Sequence, residues 1–116
     1  MDINIKIRLY DILNAIKEIN SYFIDTSLDF TVYQKDIKTK RAVERDLEII
    51  GEAMNYILEI DNSFQISNTR KIVDTRNRII HGYDKVSDTL IWGILINHIP
   101  LLEYISLCHL QLVEGS

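Results

Sequence analysis

The sequence has one cysteine, one proline and four glycines in 116 residues. A single thiol, Cys108, excludes an intrachain disulfide and a cysteine-based zinc site, and it fits a reducing, cytoplasmic compartment. So little proline and glycine argues against an all-β fold, whose turns recur every ten or so residues. No apolar run approaches the roughly 18 residues of a membrane span, and the first residues lack the basic-then-apolar order of a signal peptide. Excess positive charge is missing too: 13 basic and 17 acidic residues give a net charge of −4. That balance argues against broad nucleic-acid binding, where a basic field supplies most of the affinity. The length fits one domain, residues 1–116, able to bury a core without staples.

Apolar residues instead recur at helical spacing along most of the chain. Leu9, Ile12, Leu13, Ile16, Ile19 and Phe23 follow the i, i+3, i+4, i+7 pattern behind Asp2, a good N-cap. The pattern fades around Asp25-Thr26-Ser27. Ser27 or Asp29 then caps a short turn through Phe30, Val32 and Tyr33. A long helix is expected from Asp36 or Thr39 to about Ile60, with two stripes. Val43, Leu47, Ile50, Met54 and Ile57 form one; Ala42, Ile49, Ala53, Tyr56 and Ile60 form the other. Two apolar faces need two partners, one of which could be a second subunit. Gly51 inside this helix costs about 1 kcal/mol against alanine, which a closely approaching helix would offset.

Ser67 or Asn68 can cap a third long helix that Gly82 ends. The last begins at Ser87 or Asp88, and Pro100 should kink or split it near Ile99. The expected fold is all-α, an antiparallel bundle of four main helices plus a short extra helix. Cys108, His98, Trp92 and the tyrosines outside the motif described next are expected to pack.

Charge is unevenly placed. Between Thr69 and Tyr83 lie Arg70, Lys71, Arg76, Arg78 and His81 against the single acid Asp74. This is the strongly basic stretch, and the one suited to phosphate. Arg76 falls on the apolar stripe of Ile72, Val73, Ile79 and Ile80. An arginine there must meet a carboxylate, a partner chain or a bound anion, and an ion pair with Glu44, Glu48 or Glu52 is the simplest structural role. His81 is five residues on, roughly 140° around the helix, so two copies of the segment facing each other would converge more easily than one. Asn77, at i−4 from His81, can fix the imidazole tautomer. Alone, a histidine near a helix C-terminus reads as a dipole-stabilised surface residue. No histidine spacing suggests a metal site, and no cofactor is indicated.

Arg76, Asn77, His81 and Tyr83 match the Arg-Asn-x-x-x-His-x-Tyr signature of HepT-like proteins in the HEPN superfamily. The block from Ala42 to Ala53 resembles the family's other characteristic stretch, and Trp92 with Ile99-Pro100-Leu101-Leu102 resembles its last helix. The loop Phe64-Gln65-Ile66-Ser67-Asn68 departs from the Pro- and Trp-containing run common there.

The resemblance implies a HEPN-like bundle and a homodimer with its Arg-x4-His segments facing across the interface. It also implies the toxin of a toxin–antitoxin pair, a metal-independent endoribonuclease. Arg76 and His81 would be catalytic, Asn77 supporting, and Tyr83 the acceptor of AMP from an MntA-like nucleotidyltransferase antitoxin. Histidine suits proton transfer from a 2′-hydroxyl at neutral pH, and a forked guanidinium suits the developing phosphorane, giving a 2′,3′-cyclic phosphate. The other reading is a non-catalytic nucleotide- or RNA-binding module that regulates the nucleotidyltransferase.

Overall fold

The computed structural model describes residues 1–24, 28–66, 69–81 and 87–112, and within the fourth helix the side chains from Lys71 to Ile79. The described residues form α1 (Ile3–Ser21), α2 (Phe30–Lys35), α3 (Ile37–Ile60), α4 (Thr69–His81), α5 (Asp88–Asn97) and α6 (Ile99–His109). The fold is all-helical, a bundle of long helices with the short α2 beside it.

Helix starts follow side-chain chemistry. Asp2 accepts from the Asn4 amide at 2.7 Å, and Asp29 from the amides of Thr31 and Val32 at 2.8 and 3.3 Å. Asp36 takes both the amide and the hydroxyl of Thr39, and Ser87 the amides of Thr89 and Leu90. Each satisfies donors that the first turn leaves without a helical partner. The expected caps Ser27, Ser67 and Asn68, and the helix end at Gly82, lie outside the described residues.

The final segment divides as proline requires. Pro100 has no N–H for the i−4 carbonyl, and the chain bends by 42° between α5 and α6 at His98. No single described helix is long and apolar enough to cross a membrane. The bent pair passes on composition, but its Ile91, Ile94, Leu95, Ile99 and Leu102 are buried in the core.

Helix α3 is the axis of the bundle. Its Val43, Leu47, Ile50, Met54 and Ile57 are fully buried with Leu9, Ile12 and Ile16 of α1 and Ile72 of α4. In the first half of α3, Asp46 meets Tyr22, just past the C-terminus of α1. In its second half, Tyr56 lies under the Arg8 guanidinium at 4.2 Å. These two contacts make α1 and α3 antiparallel. With α1 on one flank and α4 on the other, much of α3 is covered within one chain, while Tyr56 and Ile60 of its second stripe stay exposed.

Trp92 on α5 packs as expected, within 5.1 to 6.1 Å of the rings of Tyr33, Phe30 and Phe23. Other expectations need correction. Tyr10, Tyr56 and Tyr104 are exposed, because they sit on the outer faces of α1, α3 and α6. Cys108 is half-buried rather than enclosed.

Candidate functional site

Gly51 sets the approach of the motif helix α4 to α3. A Cβ built on Gly51 would come within 2.6 Å of Arg76 Cβ and 3.3 Å of the Ile72 carbonyl oxygen. Real Cβ atoms do not pack at 2.6 Å, so only glycine lets the arginine stem cross α3 at this depth. Close approach is the compensation for a glycine inside a helix.

Arg76 is half-buried beside Ile72, which is fully enclosed, and Thr75, whose hydroxyl donates to the Lys71 carbonyl at 2.8 Å. Arg76 Nη1 donates to Asn77 Oδ1 at 2.8 Å, while its Nε is buried with no hydrogen-bond partner. The expected ion pair with Glu44, Glu48 or Glu52 is not formed, and no carboxylate among the described residues lies within ion-pair distance of the guanidinium. Glu52 faces solvent, and the half-buried Glu48 lies 3.9 Å from the exposed Arg45. Burial, and then the field of Asp88, raises the Glu44 carboxyl above its usual range. Arg76 therefore presents a desolvated, partly unsatisfied cation, an arrangement suited to an anion.

Asn77 joins the arginine. Because a guanidinium only donates, the amide oxygen must be the end that faces Arg76, and the amide nitrogen is left as a donor on the other side. Whether that donor meets the imidazole lies outside the described residues, as do the His81 side chain and Tyr83. The backbone of His81 closes α4.

The other flank of α4 carries Lys71 and Arg78, both exposed. With Asp74, Thr75 and Leu90 they line a groove of about 190 Å³ toward α5. Burial, and then the charge of Lys71, holds the His98 imidazole below its ordinary value.

Two features of the surroundings were not anticipated. Asp46, 1% exposed, accepts from the Tyr22 hydroxyl at 2.7 Å, and Glu18 lies 3.1 Å from the same oxygen. Burial raises the Asp46 carboxyl above its usual range despite that bond; burial and the two acids raise the Tyr22 phenol. The sequence did carry a signal, since Asp46 falls at i+3 from Val43 and i−4 from Ile50, inside the apolar stripe. At the start of α5, Lys40 pairs with Asp88 at 2.9 Å, tying α3 to the segment that follows the motif. Among the described residues, no group of three or more His, Cys, Asp or Glu side chains could hold a metal ion.

Comparison with known proteins bears on this geometry. A family model described as Ribonuclease HepT-like matches residues 12–107. A protein of Methanocaldococcus jannaschii named "Putative RNase MJ0127" is 37% identical over 79% of this chain and 75% of its own length. A second from that organism, "Putative RNase MJ1380", is 31% identical over 86% of this chain and 91% of its own. "Probable ribonuclease HepT" of Thermococcus cleftensis is 33% identical over 82% of this chain and 86% of its own. No solved structure matches the chain.

Proposed function

From the premise that the chain belongs to the ribonuclease HepT-like family, we propose that it is an RNA-cleaving toxin acting as a homodimer in the cytoplasm. The observation that carries this reading is Arg76: a half-buried guanidinium with an unpartnered Nε and no carboxylate, on the helix that ends at His81.

A phosphate oxygen is the natural acceptor for that Nε, in bidentate or forked contact. In the cleavage step the 2′-oxygen attacks the adjacent phosphorus as His81 removes its proton. The P–O5′ bond breaks, and the imidazolium of the partner subunit's His81 gives the leaving oxygen its proton. Arg76 stabilises charge that accumulates on the phosphorane oxygens. Asn77 holds the Arg76 fork in place. The products are a 2′,3′-cyclic phosphate and a 5′-hydroxyl. Cation and base both come from the chain, so the step requires no metal, and the 2′-hydroxyl makes it specific for RNA over DNA.

Tyr83 lies two residues beyond His81. Transfer of AMP from ATP to its phenol by an MntA-like nucleotidyltransferase antitoxin would set a phosphodiester anion beside the arginine, competing for the phosphate site and repelling the RNA backbone.

The test is cleavage of labelled RNA in EDTA by the purified chain, beside Arg76→Ala and His81→Ala. Loss of cleavage in both variants is expected, and cleavage that persists unchanged in both overturns the mechanism. Intact mass after incubation with antitoxin and ATP should rise by AMP units that Tyr83→Phe abolishes. The net charge of −4 favours one alternative, a non-catalytic nucleotide-binding module. Harmless expression of the chain alone, with tight nucleotide binding, would select it.

A further inference from the structure

We propose that the groove between α4 and α5 is a track for the backbone of single-stranded RNA, separate from the Arg76 flank and leading toward the end of α4. The inference rests on the ribonuclease reading and adds to it where the substrate lies outside the scissile linkage.

Lys71 and Arg78 are seven residues apart, so they point the same way within about 20° and stand about 10 Å apart along the helix. Together with Asp74, Thr75 and Leu90 they line the groove. Neither forms an ion pair with Asp74 or with any other described carboxylate. Their charges are therefore uncommitted, on a protein whose other charges sum to a repulsive field for RNA. Thr75 spends its hydroxyl proton on the Lys71 carbonyl, so contact with a phosphate in the groove falls to the two cations. Asp74 is a liability to a bare phosphate chain. Between two phosphate-binding cations it suits a ribose, whose 2′-hydroxyl can donate to it and whose absence in DNA would leave it opposing the strand. Arg76 emerges roughly 140° around the helix from Lys71, so the groove and the Arg76 site lie on different faces of α4, the helix that His81 closes.

The experiment is fluorescence anisotropy of a labelled single-stranded RNA with the full chain, titrated between about 50 and 200 mM salt. A Lys71→Gln/Arg78→Gln double variant is compared with a charge-matched control, Lys17→Gln/Arg41→Gln, which removes two exposed cations from α1 and α3. The groove variant should bind about tenfold or more weakly at low salt and lose about 1.5 to 2 from the slope of log K against log salt. The control should stay within about twofold of the unaltered chain. In cleavage, the groove variant should show a raised KM with kcat retained, and in the anisotropy assay Asp74→Ala should narrow the binding preference for RNA over the matching DNA.

Equal losses in the two double variants overturn the track, as does an unchanged KM in the groove variant while the unaltered chain cleaves normally. Retained RNA affinity with lost binding to the antitoxin would reassign the groove to a protein surface, again overturning it. The ribonuclease reading fails separately, if the unaltered chain binds RNA through the groove and leaves it intact.

Discussion

Asp46 and Arg76 are charged side chains set on the apolar stripes of two packed helices, and the fold treats them differently. Asp46 on α3 is closed off from solvent and answered from within by the Tyr22 hydroxyl. Arg76 on α4 is given one bond from its sequence neighbour and left with a buried Nε that nothing in the described chain satisfies. A buried polar group without a partner costs on the order of 1–3 kcal/mol, and more when charged. The need at Asp46 is met from within the chain; the one at Arg76 would be met by an external acceptor such as the phosphate oxygen proposed above.

Substitutions can break or sharpen that contrast. The largest effect expected is on activity. Arg76→Met keeps the stem packed over Gly51 but removes the fork, and RNA cleavage should fall by about 10²–10³. Thermal stability should meanwhile stay level or rise, because an unsatisfied donor leaves with it. A parallel collapse of stability would show the guanidinium to be structural.

Next in size, Gly51→Ala forces α3 and α4 apart and should cost about 1–3 kcal/mol in urea unfolding. Adding Arg76→Gly, which deletes the clashing Cβ, should recover part of that loss.

Asp46→Ala should cost on a similar scale, about 1–3 kcal/mol, by stripping the Tyr22 hydroxyl of its buried acceptor. Asp46→Asn, which can still accept, should cost less. It should also flatten the pH dependence. A carboxyl whose value is raised on folding binds its proton more tightly in the native state, so stability falls as pH rises from the ordinary carboxylate range through the raised value. His98 acts in the opposite sense. Its value is lowered on folding, so the stability it contributes is present above the ordinary histidine value and lost as pH falls through it toward the folded one. Urea midpoints of Asp46→Asn and His98→Gln across this range separate the two.

The smallest effect belongs to Asp29→Ala at the start of α2, about 1 kcal/mol in a thermal melt, with cleavage unchanged.

Much of the fold was legible because its determinants are local. Aspartates and a serine begin helices where their oxygens meet the next amides, Pro100 divides the last segment, and Gly51 announced a close neighbour. The identity of that neighbour was not local: the atom against Gly51 belongs to Arg76, 25 positions on. Nor was the Tyr22–Asp46 bond, which spans 24 residues. The expected pairing of Arg76 with an α3 glutamate failed for a geometric reason. Glu52 points outward from α3 and Glu48 turns to Arg45, whereas the arginine crosses α3 at Gly51. Of the candidate site, Asn77, expected at the His81 imidazole, is bonded through its amide oxygen to Arg76, a contact that one-residue spacing on a helix does not suggest.

The loop through Phe64 and Gln65 has a consequence of its own. Phe64 stacks on the His109 ring at 4.3 Å, and the Gln65 carbonyl lies 2.7 Å from His109 Nε2. The close of α6 is thus fastened to the stretch before α4, and the last described helix helps moor the helix bearing the arginine. Trimming the chain before His109, or crowding it with a C-terminal fusion, would loosen that mooring from a position remote in sequence from every motif residue.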